Sequence, residues 1–159
     1  MKPVTVTILK KELNDHSQEE LIEICLKLAK FKKENKELLT YLLFDSNDED
    51  EYIRVIKDDI DEEFSKLNLD SLYYVKKSTR KILRGIKKYI RYSKKKETEA
   101  ELLLHFCSKL KELRPSYKKS QQMINMYDKQ LSMAKKAIST LHEDLQYDLN
   151  LEVEQLENE

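Results

Sequence analysis

The side chains that most often perform chemistry in proteins are sparse in this chain, and their spacing does not suit catalysis. Its three histidines are His16, His105 and His142, and none follows a glutamate by three residues, as the ligand pairs of di-iron bundles do. Cys25 and Cys107 are isolated on apolar helical segments, with no nearby base that would activate a thiolate. The sequence therefore predicts that the protein is not an enzyme.

Metal and cofactor sites are equally poorly supported. Glu97, Glu101 and His105 share one helical face, but solvated side chains with ordinary contacts one turn apart are the favoured explanation of this spacing. The only glycine, Gly85, falls inside a predicted helix, so a glycine-rich phosphate loop is excluded. Gly85 costs about 1 kcal/mol there relative to Ala, and we expect the close approach of a neighbouring helix to compensate. The sequence thus predicts no metal and no cofactor.

The strongest feature is a run of positive charge between Ser71 and Lys96, which contains eleven Lys and Arg residues and no acid. At the helical repeat of about 100° per residue, its apolar residues gather on one side and its basic residues on the other. We therefore expect one long helix with a core face and a cationic face. The candidate ligand-binding residues on the cationic face are Tyr73, Lys77, Arg80, Arg84, Lys87, Lys88 and Arg91.

Two acidic segments flank this basic helix, although the formal net charge of the whole chain is zero. Ten acidic residues lie between Asp45 and Glu63, and seven lie between Glu143 and Glu159. Opposite charges a few ångströms apart attract even when salt screens them. The sequence leaves two alternatives open: the acidic segments pair with the cationic face inside the molecule, or that face is free to bind a ligand.

The composition predicts an all-α protein. The chain has one glycine and two prolines in 159 residues, which are too few turn formers for a β-rich fold. Charged residues make up 38% of it, which also suits helices. We expect six or seven antiparallel helices, arranged as stacked helical hairpins of the α-solenoid kind or as an irregular bundle. The length fits a single domain, residues 1–159, in which 146–159 is an acidic C-terminal tail that frays.

Local signals place several helix boundaries. Ser17 with Glu20, and Thr98 with Glu101, match the S/T-x-x-E pattern of a capping box. Asn35 is expected to cap a short third helix, and Asn47 or Asp48 the next one. The last long helix is predicted to start near Ser116, with an apolar seam that runs to Leu145; packing within the chain is favoured over a dimeric coiled coil. A shift of 81 residues aligns the two capping boxes, which raises the possibility of a helical repeat.

The stretch SQEELIEICLKL from Ser17, followed by KENKELLTYLL from Lys33, resembles the opening helical hairpin of small uncharacterised all-helical bacterial proteins of unknown function. It is more loosely similar to HEAT and armadillo hairpins. The resemblance covers about a fifth of the chain and implies an α-solenoid-like domain with no assigned activity. The proline and the polar ladders of typical HEAT repeats have no counterpart here.

These observations favour a non-enzymatic helical module, a scaffold or adaptor, that takes part in protein–protein interactions. An acidic protein is one candidate partner. The alternative is weak, salt-dependent RNA or DNA binding through the basic face of the 71–96 helix, with Tyr73 stacked on an unpaired base. No segment approaches the length of a membrane-spanning helix, and the cysteines are expected to be free, buried thiols, so we expect a cytoplasmic protein without a membrane partner. Monomer and weak homodimer both remain open.

Overall fold

The computed structural model describes residues 1–158, and its regular secondary structure is entirely helical. This confirms the all-α class. Within the described residues there are eight α-helices instead of the predicted six or seven. Where the sequence predicts one domain, the chain divides into two compact units, one formed by Met1–Phe44 and the other by the residues from Asp45 onward. The two units are described separately.

The N-terminal unit contains three helices: α1 (Val6–Asn14), α2 (Gln18–Phe31) and α3 (Lys33–Leu43). The predicted capping box at the start of α2 is confirmed, because the Glu20 N–H donates to Ser17 Oγ at 3.2 Å and the Ser17 N–H donates to Glu20 Oε1 at 3.0 Å. Asn35 does not cap α3, which already starts at Lys33. Its amide instead donates to the Leu28 carbonyl of α2 at 2.8 Å and joins the two helices.

The C-terminal unit contains α4 (Glu49–Ser65), α5 (Leu72–Ser93), α6 (Lys96–Glu112), α7 (Gln121–Ile138) and α8 (Glu143–Glu157). Asp48 caps α4, as predicted, by accepting from the Glu51 N–H at 3.1 Å. The central helix is α6, which contacts α4, α5, α7 and α8. Its fully buried Leu102, Phe106 and Leu110 form the middle of the hydrophobic core.

Contacts between α4 and its neighbours fix the direction of the helices. The Tyr52 hydroxyl, near the start of α4, donates to the Tyr89 carbonyl near the end of α5 at 2.8 Å, so these two helices run antiparallel. Asp61, further along α4, lies 2.6 Å from His105 Nε2 of α6, so α4 and α6 run in the same direction. The helix that carries the positive charge is therefore held at its C-terminal half by a hydrogen bond from a buried tyrosine.

The predicted second capping box is wrong. Helix α6 begins at Lys96, before Thr98, and its N-cap residue Lys95 makes no side-chain capping hydrogen bond. Thr98 is fully buried and donates to Glu49 Oε1 of α4 at 2.6 Å, while Ser93 donates to the same oxygen at 2.5 Å. We call these three side chains the Glu49 cluster. It joins the start of α4, the end of α5 and the start of α6, so tertiary packing and not capping explains the threonine.

The extra helix results from a break in the predicted last long helix. Helix α7 starts at Gln121, after a short 3-10 turn at Tyr117–Lys119, and ends at Ile138. The side-chain amide of Gln146 donates to the Leu141 carbonyl at 2.7 Å, and so satisfies a backbone group that the break leaves without a helical partner. Helix α8 then continues through the segment that was predicted to fray, with Leu149 and Val153 buried.

Candidate interaction surface

Helix α5 has the two faces that its sequence predicts. Ser71 caps its N-terminus by accepting from the Tyr74 N–H at 3.3 Å, and the helix continues for 22 residues. Val75, Ile82 and Ile86 are buried against the rest of the unit. The residues on the opposite side of the helix are exposed and mostly basic. Burial of the apolar side therefore fixes which side chains α5 presents to solvent.

All the candidate residues predicted from the sequence lie on the solvent side or the borders of α5. We call them the α5 cationic surface, and they are Tyr73, Lys77, Arg80, Arg84, Lys87, Lys88 and Arg91. Lys77, Arg80, Arg84 and Arg91 are exposed, whereas Lys87 and Lys88 are half-buried. Tyr73 is 65% exposed. Its ring lies edge-on to that of Tyr74, with 5.4 Å between centroids, so two aromatic rings stand at the N-terminal end of this surface.

One border of the α5 cationic surface meets α7. Arg80 donates from Nη2 to Gln122 Oε1 at 3.0 Å, and Lys87 Nζ lies 3.6 Å from Met133 Sδ. Burial lowers the pKa of Lys87, and the positive charge of Lys129 lowers it further. Helix α7 thus orients two of the basic side chains and adds a cation nearby without supplying an acid to them.

Several ion pairs of the acidic segments lie outside the α5 cationic surface, although one reaches the end of the basic run, where Glu49 lies 3.7 Å from Lys95. On α4, Asp58 bonds Arg54 at 2.8 Å within its own helix, and Asp61 reaches His105 of α6. On α8, Glu157 pairs with Lys135 of α7 at 2.6 Å. Among the described residues, Lys77, Arg84 and Arg91 form no ion pair. Of the two alternatives left open by the sequence, an open cationic surface is the one that these contacts favour.

Like charges along one helix face repel each other. Arg80, Arg84, Lys88 and Arg91 follow one another at three or four residues, the spacing at which side chains on a helix are neighbours. Each such pair costs on the order of 0.2–0.5 kcal/mol in an isolated helix. A polyanion placed along this surface would replace the repulsion with attraction, so binding of a negatively charged ligand is the chemistry to which the arrangement is suited.

Gly85 lies between these cations, and the structure shows that the predicted compensation is wrong. A Cβ built on Gly85 would have no heavy atom within 4 Å, so no neighbouring helix approaches this position. Its backbone is also not in the left-handed region. Neither packing against the described residues nor backbone conformation therefore explains why this position is a glycine. The sequence could not show this, because it does not reveal which helices meet.

Glu101 and Cys107, two other groups that could perform chemistry, are engaged in packing. Within residues 1–158, no three His, Cys, Asp or Glu side chains are placed to hold a metal ion. Glu101 faces Lys57 at 3.9 Å, and burial raises the pKa of its carboxyl group. Cys107 is fully buried, and burial raises the pKa of its thiol to about 12. Cys25, predicted to be buried, is exposed.

A cavity of about 600 Å³ between α6, α7 and α8 was not predicted. Several of its polar groups are already used by the fold: the Tyr127 hydroxyl donates to the Leu156 carbonyl at 2.6 Å, and Lys111 Nζ donates to the Gln155 carbonyl at 2.8 Å. Lys135, also on its wall, pairs with Glu157. No sequence signal could have placed these residues together, because they come from three separate helices. Among the described residues, the exposed Asp128 on its wall forms no ion pair, and this single carboxylate does not identify a ligand.

No helix among the described residues combines the length and the apolar character that crossing a bilayer requires. Comparison with known family models, with curated proteins and with solved structures gives no match to this chain.

Proposed function

We propose that this protein is a non-enzymatic interaction module that binds an acidic segment of a partner protein through the α5 cationic surface. The observation that supports the proposal is the open state of this surface: Lys77, Arg84 and Arg91 are exposed, and neither acidic segment pairs with them. Helix α5 is also long and anchored at both ends, by the Ser71 cap and by the Glu49 cluster. It therefore presents its cations at fixed spacing.

Nucleic acid is the second candidate, and the exposed tyrosine pair supports it. Tyr73 and Tyr74 are 65% and 50% exposed, and a stacked base could cover either ring. Phosphates would contact the same basic side chains. The difference between the two candidates is testable, because tyrosine stacking contributes only to binding of unpaired bases.

The test uses fluorescence anisotropy with two labelled probes, a 20-residue polyglutamate peptide and a 20-nucleotide single strand. We expect K77E/R84E/R91E to weaken peptide binding at least tenfold. The variant K2E/K10E/K11E makes the same change of charge on exposed lysines of the N-terminal unit and should bind as the unaltered protein does. A triple variant on α5 that binds the peptide unchanged would refute the proposal.

The choice of ligand follows from a third variant. Tyr73→Ala should leave peptide binding unchanged under the first candidate. If the single strand binds more tightly than the peptide and Tyr73→Ala weakens it severalfold, nucleic acid becomes the assigned ligand. Three expectations from the sequence stay predictions alongside this proposal: the stacked-hairpin arrangement, the cytoplasmic location and the relation to small bacterial helical proteins.

A further inference from the structure

The N-terminal unit has almost no core of its own. Of its 44 residues, only Ala29 and Tyr41 are buried, and no residue of α1 is buried. The helical spacing of Ile22, Leu26 and Leu28 is typical of a core-facing side, but these side chains are 51%, 48% and 57% exposed. They stay exposed because α2 and α3 bury only a narrow strip between them. An amphipathic hairpin of this size needs further apolar contacts to be stable.

Apolar side chains, most of them exposed, follow the groove of the α2–α3 hairpin. Cys25, Leu28, Leu38 and Leu42 line a shallow groove of about 210 Å³ between the two helices. Ile22 and Leu26 lie beside it, one helical turn from the groove residues. We call these six side chains the hairpin face. An exposed apolar patch of several hundred Å² in a protein marks an interaction site.

We propose that the hairpin face is the interface of a homodimer, in which the α2–α3 hairpins of two copies of this chain pack together around a two-fold axis. This inference is independent of the proposed function, which concerns α5. The exposed apolar residues of α1, which include Ile8, Leu9 and Leu13, add to the apolar surface that this unit presents.

A second copy supplies the surface that matches the hairpin face. The large apolar side chains that the described part of the C-terminal unit leaves more than 36% exposed include only three aliphatic ones, and the six are Val55, Leu69, Tyr73, Tyr74, Tyr147 and Leu151. On the hairpin, aliphatic side chains line a groove between two helices. In a two-fold dimer the same patch of each copy contacts the other, so an apolar patch such as the hairpin face meets an equally apolar surface.

The charges of α2 support an antiparallel pairing of the two copies. The acids Glu19, Glu20 and Glu23 lie in its N-terminal half and the cations Lys27 and Lys30 in its C-terminal half. A parallel pairing would place acids next to acids. An antiparallel pairing centred between residues 24 and 25 places Glu19 opposite Lys30 of the second copy, and does so twice because of the symmetry. Charge thus selects one orientation of the apolar contact.

Cys25 provides a direct probe of this arrangement. It lies beside the proposed two-fold axis and is exposed, whereas Cys107 is fully buried, so only one thiol per chain is accessible. A short bis-maleimide should therefore link two chains through Cys25. We expect a covalent dimer in the unaltered protein at 50 µM and none in Cys25→Ser. Absence of linkage in a protein that is dimeric by sedimentation would contradict the pairing centred on α2.

Sedimentation equilibrium measures the dimer itself. Leu26→Asp places a charge in the apolar contact and should raise the dissociation constant at least tenfold. The matched control Leu151→Asp changes a leucine of similar exposure in α8 and should leave dimerisation unchanged. Both positions are exposed, so both variants should retain the helical circular dichroism of the unaltered protein. A protein that remains monomeric at 200 µM would overturn the proposal and mean that the hairpin face is covered in another way.

Charge exchange tests the orientation. Glu19→Lys and Lys30→Glu should each weaken self-association severalfold, because each places like charges opposite one another. An equimolar mixture of the two variants should restore association as a heterodimer, since both contacts then join opposite charges. If the heterodimer is no more stable than the homodimer of either variant, the antiparallel pairing is refuted. The Leu26→Asp result then still decides whether the hairpin face is the interface.

Discussion

Replacing Gly85 by alanine should stabilise the protein. Glycine in the interior of a helix costs about 0.8–1.0 kcal/mol relative to alanine, because it loses more conformational freedom on folding. At Gly85 nothing opposes this gain: an added Cβ has no heavy atom within 4 Å, and the backbone is not left-handed. We therefore expect the full difference, about 1 kcal/mol, which corresponds to a rise in melting temperature of about 3–6 °C for a unit of this size.

Urea unfolding followed by circular dichroism at 222 nm measures the effect. Gly85→Ala should raise the midpoint concentration without changing the slope, and Gly85→Val should raise it by less than half as much, because a β-branched side chain has a lower helix propensity. Lys94 provides the opposite case, since it ends α5 with φ at 58°, where glycine is favoured. Lys94→Gly should therefore also stabilise. A Gly85→Ala protein that is less stable than the original would show that a neighbour does approach α5 here, and would refute the reasoning.

Three further predictions concern groups outside the α5 cationic surface. Tyr52→Phe removes the hydrogen bond that joins α4 to the backbone of α5 and should lower the free energy of unfolding by about 1 kcal/mol in urea titrations. A thiol reagent should modify one cysteine per native chain at low protein concentration, Cys25, and should modify Cys107 only after urea is added; rapid reaction of both would contradict the burial. Hydrogen bonds from Ser17 lower the pKa of Glu20, so this carboxylate stabilises α2 above its ordinary pKa and loses that contribution as the pH falls through the lowered value. Ser17→Ala removes the hydroxyl but keeps the backbone N–H, which is the larger cause, so it should raise the pKa of Glu20 only part of the way towards its ordinary value in an NMR titration. A full return to the ordinary pKa would contradict the backbone hydrogen bond.

Local signals in the sequence were sufficient where the partners lie within one helical turn. Ser17 and Glu20 cap α2 as predicted, and Asp48 caps α4, because in each case the side chain and the backbone N–H that it accepts from are three residues apart. The same pattern at Thr98 failed. Its hydroxyl is buried and donates to Glu49, which lies 49 residues earlier in the chain, and no local rule describes that contact.

The hydrophobic pattern shows which face of a helix is apolar but not what covers it. On α5 the apolar face is buried and the cationic surface is exposed, as the sequence predicts. On α2 the apolar pattern is equally clear, yet Leu26 and Leu28 remain exposed. Likewise the seam of α7 runs on towards Leu145, but the helix ends at Ile138. These outcomes depend on neighbouring helices, whose positions the periodicity does not contain.

The candidate surface was predicted residue by residue, while its availability was not. The sequence placed Lys77, Arg84 and Arg91 on one face and left open whether the acidic segments neutralise them. The structure shows the partners of several of those acids: Asp61 contacts His105, Glu157 pairs with Lys135, and Glu49 lies near Lys95 beyond the end of α5. Ion pairs between helices depend on helix packing, so only the folded chain could distinguish the two alternatives.

Chemical-shift mapping tests the open cationic surface most directly. The account predicts that adding a polyglutamate peptide to ¹⁵N-labelled protein shifts the amide signals along α5 between Tyr73 and Arg91, and that 0.5 M NaCl reverses the shifts because the contacts are ionic. The signals of α4, whose Asp58 pairs with Arg54 and whose Asp61 contacts His105 of α6, should stay in place. Shifts centred on any other helix, or no shifts on α5 at low salt, would contradict an open cationic surface that binds acidic segments.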